Sequence, residues 1–201
     1  MNSIILAEKD DKKKDEDNQG LMAKMLSSRT IIMSGGVDSD LASKIIQQLV
    51  LLDHDDPGKP IYLLVNSPGG EFYSGFAIYD TIGYISAPVI SVVVGLAASM
   101  GSIIPLAAGK GNRYGLPHSK FLIHQPLMMG YQGKATDLEI QAREILRDRE
   151  GVIDIYAEHT GRKPEDIIKD IDRDKWLTAK EALDYGLIDR IITSRSEIGK
   201  S

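Results

Sequence analysis

No cysteine occurs among the 201 residues, and that absence removes disulfides, thiolate nucleophiles and zinc-thiolate centres from consideration. It is compatible with a reducing compartment. A basic excess is missing too: 24 Lys and Arg stand against 29 Asp and Glu, a net charge of -5, so the footprint of a general nucleic-acid binder is absent. Nothing at the start reads as a secretory signal, because only residues 4–6 are apolar before a charged run begins. A cytoplasmic protein is the expectation. The phosphate-loop pattern GxxxxGK[ST] is also absent, so the chain has no such means of using ATP itself.

What is present is ordinary in bulk and uneven in detail. Hydrophobic residues make up 42% and charged residues 26%, enough for one globular domain with a single core. Residues 81–109 contain no charged side chain and are long enough to cross a bilayer. Pro88, Gly95, Gly101 and Pro105 divide that stretch, so it reads instead as a buried strand, a tight turn at Gly95 and a buried helix over 99–108. No membrane association is expected.

Residues 1–27 hold "AEKDDKKKDEDNQG", a mixed-charge run without apolar periodicity, expected to be a solvated mobile arm. Residues 28–201 form the domain. Short apolar runs at 30–33, 60–65, 89–94, 120–124 and 187–192 read as strands. Helix-like stretches at 39–52, 73–85, 99–108, 135–158 and 178–184 alternate with them, which implies an α/β domain with a parallel-leaning sheet. The 135–158 helix is the odd one. Thr136 with Glu139 reads as a capping box, and Leu138, Ala142, Ile145, Val152, Ile153 and Tyr156 share one apolar face. A helix that long is expected to project beyond its own core and to take a partner, and self-association is the inference. "MMGYQGKA" before it is glycine-spaced and reads as an exposed edge able to pair with another strand.

Ser99 falls where an apolar strand hands over to a helix, a place where a hydroxyl is exposed and following N–H groups are free to bind an anion. That suits a serine nucleophile, the alternative being a simple N-cap. "NSPGG" at 66–70 follows another strand, and its glycines allow close backbone approach. A base must come from His54, His118, His124 or His159, the four histidines of the chain. His54 and His159 read as solvated; His124 closes the run "KFLIH" and is preferred, with His118 as runner-up. Asp170, Asp172, Asp174, Asp184 and Asp189 all remain open as the orienting acid.

"NSPGG", "GLAASMGS", "HQPL" with "GYQGKATDLEIQAREIL", and "DRDKWLTAKEALDYGLID" occur in that order, and in this the chain resembles the ClpP family, the proteolytic subunits of Clp proteases. The resemblance implies a crotonase-like α/β spiral with a protruding handle helix at about 135–159. It further implies an ATP-dependent serine endopeptidase in which Ser99 is the nucleophile, His124 the general base and Asp174 the orienting acid. By the same matching, the amides of Gly70 and Met100 form the oxyanion hole, and Asp172 and Arg173 make ring-interface contacts. Seven-subunit rings would stack into a tetradecamer that hydrolyses unfolded polypeptides. These would be delivered by an AAA+ Clp ATPase such as ClpX, ClpA or ClpC, which uses the ATP; the chain itself would need no metal or organic cofactor. A second ClpP-type subunit would be a further partner. Departures lie at the N-terminus, where the charged arm replaces the family's apolar lead-in, and in "LMMGYQG", where "LGGYQG" is usual. Competing readings are a crotonase-type acyl-CoA enzyme and a regulatory ring subunit active only with a second partner. An α/β-hydrolase is disfavoured because Ala97 stands where that elbow has glycine, and His124 precedes Asp174.

Overall fold

The structure, a computed structural model, describes residues 20–127 and 133–199. Residues 20–27, which the charged arm was expected to include, form a helix, α1, and its Leu26 packs against the core. The rest of the expected arm and most of "MMGYQGKA" lie outside the described residues.

Beyond α1 the order is β1 (Thr30–Ser34), α2 (Ser39–Asp55), β2 (Ile61–Ser67), α3 (Phe72–Tyr84), β3 (Val89–Ala98) and α4 (Met100–Ile103), the last running into a 3-10 turn at Ile104–Ala108. Then follow β4 (Arg113–Gly115), β5 (Lys120–Ile123), α5 (Ala135–Thr160), α6 (Pro164–Asp170), β6 (Lys175–Thr178), α7 (Ala179–Tyr185) and β7 (Arg190–Ile191). The expected helix at 99–108 is broken because Pro105 cannot continue α-helical bonding. Among the described residues no helix is long and apolar enough to cross a membrane.

One sheet holds the strands in the order β1-β2-β3-β4-β7, all parallel. It forks at β3. Ser91–Val93 of β3 pair with β4, whereas Leu96–Ala98 pair with β5, which in turn carries β6 antiparallel. Gly95 lies between the two partners. The glycine after an apolar run predicts a turn there; instead the strand continues to Ala98. Gly95 is small because a Cβ would sit 2.6 Å from Asn66 Oδ1, and that oxygen accepts the Leu96 N–H at 3.1 Å. The Asn66 side chain thereby fills the gap left where the β2–β3 register shifts between Val65 and Ser67.

The core lies on the helix-covered face, where Ile31, Met33, Leu63, Val65, Val93 and Ile104 are fully or almost fully buried. A smaller cluster of Val92, Tyr114 and Ile192 covers the other face. α5 is 26 residues long, about 39 Å at about 1.5 Å per residue. Only its last third is buried, through Val152, Ile153 and Tyr156; Tyr156 Oη meets Ser102 Oγ at 2.8 Å inside the core. Leu138 and Ala142, earlier on the same apolar face, are exposed. The expected capping box is absent: Lys134 occupies the N-cap, without a side-chain bond, and Thr136 is inside the first turn.

Candidate active site

Ser99 is the junction of β3 and α4, and its backbone is forced into φ 53°, ψ -126°, a region non-glycine residues rarely enter. Hydrogen bonds on both sides hold it there: Ser99 N–H donates to Leu122 O at 2.9 Å, and Ser102 donates to Ser99 O through its N–H (2.8 Å) and its hydroxyl (2.7 Å). The Ser99 hydroxyl makes no cap bond to α4. The N-cap reading of this serine therefore fails on geometry, and its hydroxyl is available to the cleft.

Beside it runs the loop after β2. Gly69 has φ +87° and is packed so closely that a Cβ would meet Ala98 O and Ser99 Cβ at 2.6 Å each. Val37 stitches this loop to the one after β1: its N–H donates to Gly69 O (2.8 Å) and its carbonyl accepts from Glu71 N–H (2.7 Å). None of these bonds uses the amides of Gly70 or Met100, and both residues line the same cleft as Ser99.

That cleft has a volume of about 940 Å³. His124, Leu122, Pro126 and Leu127 form a second wall, and Glu144, Ile145 and Asp148 of α5 form a third. Tyr73 Oη on α3 faces the Asp148 carboxylate at 3.4 Å. Burial, with Glu144 nearby, pushes the Asp148 carboxyl above its ordinary pKa despite that bond.

Of the four histidines, His124 is the one in the Ser99 cleft. His54 and His118 are exposed elsewhere. His159, expected to be solvated, is half-buried and shares a 2.7 Å hydrogen bond with Tyr79 Oη; burial lowers its pKa. Among the aspartates, Asp174 approaches His124, with Oδ1 3.8 Å from Nδ1. His124 is 13% exposed and Asp174 66%, so the acid sits at the rim. Asp189 is committed elsewhere, to the buried Arg113 guanidinium. Asp170 receives Lys175 and, at 2.8 Å, the Tyr185 hydroxyl. Asp172 and Arg173 form a loose pair at 3.8 Å, both exposed. Ser99 and His124 share the cleft without a hydrogen bond between them.

Two residues escaped the sequence reading. Gln125 donates from Nε2 to Asp172 O (3.2 Å) and from its N–H to Ile171 O (2.8 Å), and Arg149 Nε donates to Gln125 Oε1 (3.0 Å). The only sequence signal was a polar residue closing the strand-end "HQP". Among the described residues no cluster of His, Asp or Glu could hold a metal ion.

A strained serine with an unengaged hydroxyl, unused amides beside it and a histidine across the cleft make up the arrangement of a serine hydrolase. Comparison with known proteins narrows the class. The chain belongs to the Clp protease family, whose model matches residues 13–195, and it is thus a peptidase. It is 54% identical to the ATP-dependent Clp protease proteolytic subunit 1 of Protochlamydia amoebophila, over 87% of this chain and 85% of that protein. It is 45% identical to proteolytic subunit 2 of Treponema denticola over 98% of both chains. The proteolytic subunit from Porphyromonas gingivalis is 47% identical over 86% of this chain and 77% of its own.

Proposed function

We propose that the chain is the serine endopeptidase subunit of an ATP-dependent protease, with Ser99 as nucleophile, His124 as general base and Asp174 as orienting acid. The observation that carries this is Ser99 itself: a strained, uncapped serine facing the cleft that also holds His124. In the reaction His124 takes the Ser99 proton as the hydroxyl attacks a peptide carbonyl, Asp174 steadies the imidazole, and the Gly70 and Met100 amides receive the oxyanion. The amine leaves with the proton returned by His124. Water, deprotonated by the same imidazole, then releases the acyl group. A crotonase-type acyl-CoA enzyme, the competing expectation, is set aside by membership in the protease family.

The relatives are named ATP-dependent, which supports an AAA+ ATPase such as ClpX, ClpA or ClpC as the feeder of unfolded substrate. Self-assembly into stacked heptameric rings, with α5 as the handle of a crotonase-like spiral, accords with the exposed Leu138, Ile140 and Leu146 on the first half of that helix. The 3.8 Å His124–Asp174 spacing favours a second version of the same reading, in which assembly, with itself or with a second ClpP-type subunit, draws the triad together. Two of the relatives are numbered as subunits 1 and 2.

The test is labelling of the purified chain with a fluorophosphonate, alone and with a second subunit or ATPase added. Label on Ser99 that disappears in Ser99→Ala, together with cleavage of an unfolded protein, is the expected result. Label that persists in Ser99→Ala would refute the assignment.

A further inference from the structure

We propose that Gln125 and Arg149 are positioning residues that set the place of Asp174 relative to His124. The inference rests on the triad reading above. Residues 171–174 carry no helix or strand of their own, so the acid must be held by other means. The base of this loop is firm: Ile171 is fully buried, and Asp170 and Lys175 are joined across it. Between them Asp172, Arg173 and Asp174 are exposed. They border a cavity of about 510 Å³ also lined by His124, Gln125 and Leu127, which leaves the loop room to shift.

Gln125 is the side chain that spans this gap. It follows His124 directly in sequence and reaches the Asp172 carbonyl through Nε2 and the Ile171 carbonyl through its own N–H. One residue thus ties the backbone carrying the base to the backbone carrying the acid. A glutamine amide can turn either way, and Arg149 decides which: a guanidinium offers only donors, so Oε1 must face it and Nε2 must face Asp172. Arg149 follows Asp148, which lines the Ser99 cleft with Glu144 and Ile145. One segment of α5 therefore touches the substrate cleft and, one residue on, the tether of the acid loop, so cleft occupancy and acid placement share a support.

The test uses full-length Gln125→Glu, Gln125→Ala, Arg149→Ala and the double variant, assayed on a small peptide substrate and by backbone hydrogen exchange. Glutamate is nearly isosteric and accepts from Arg149, yet cannot donate to Asp172. Gln125→Glu is therefore expected to match Gln125→Ala, with kcat down about tenfold, KM unchanged and faster exchange of the residue 125 amide, which Ile171 O holds. The double variant is expected to be no worse than either single change. Gln125→Glu with wild-type kcat and exchange, or single effects that add in full, would overturn the tether. Exchange reports the tether whatever the chemistry, and Ser99→Ala labelling reports the triad, so the two readings fail separately.

Discussion

Ser99 occupies a backbone conformation whose cost, typically about 1–3 kcal/mol, must be met by the bonds around it. Leu122 and Ser102 supply those bonds. Glycine would adopt the same angles without strain. Ser99→Gly is accordingly expected to be inactive yet more stable than Ser99→Ala by about 1 kcal/mol, a few degrees in melting temperature. An equal or lower melting point for the glycine variant would remove strain from the account. Gly69 is the converse case. It has φ +87°, with Ala98 O and Ser99 Cβ only 2.6 Å from where a Cβ would lie, so Gly69→Ala is expected to cost about 3 kcal/mol and to abolish fluorophosphonate labelling. Both effects are read from a thermal melt and a gel.

At the scale of elements, the acid loop hangs between α6 and β6, and its base is braced by Asp170, which receives Lys175 and the Tyr185 hydroxyl at the end of α7. Burial pushes the Asp170 carboxyl up, but the hydrogen bonds from Lys175 and Tyr185 and the nearby positive charges outweigh it, and the net pKa is lowered. A carboxylate whose folded pKa is depressed adds stability that is full above its unfolded value, about 3.9, and is lost as pH falls through the folded value. Asp170→Asn is expected to lower stability near neutral pH by about 1 kcal/mol, given the pair's partial exposure, and to flatten the loss of stability below about pH 4. Urea melts of both proteins between neutral and acid pH test this; parallel curves would show that the brace carries no linked proton. The same elements show what the sequence disclosed. The strands β1, β2, β3 and β5 were legible because their apolar runs are continuous, and α2, α3 and α5 because their period is helical. β4 and β6 were not: "RYG" carries a charged residue that is buried because Asp189 and the carbonyls of His159 and Gly186 meet it, and "KWLT" alternates on an edge with Trp176 exposed. In the proposed site, Ser99, His124, Gly70 and Met100 are candidates that strand ends and glycines point to. Asp174 could not, because nothing local separates it from Asp170 or Asp189; those differ only in what they touch across the fold.

For the whole molecule, the decisive fact is that the three residues proposed for one reaction are gathered but not closed. His124 and Asp174 stand 3.8 Å apart with the acid largely in solvent, and a contact so exposed holds little by itself. At the same time Leu138, Ile140 and Leu146 lie bare along α5, the helix that also walls the cleft and holds the Gln125 tether. Covering those side chains with other subunits would fix α5, and through α5 the wall, the tether and the acid. Assembly and catalysis would then be one equilibrium, linked by mass action. The expected outcome is that the fluorophosphonate labelling rate per subunit falls on dilution, tracking the loss of assembled mass seen by native mass spectrometry. Leu146→Asp and Ile140→Asp are expected to reproduce that loss at high concentration while far-ultraviolet circular dichroism stays unchanged. A labelling rate that holds constant as the assembly comes apart would mean that the single chain aligns its own triad and that the bare side chains serve another purpose.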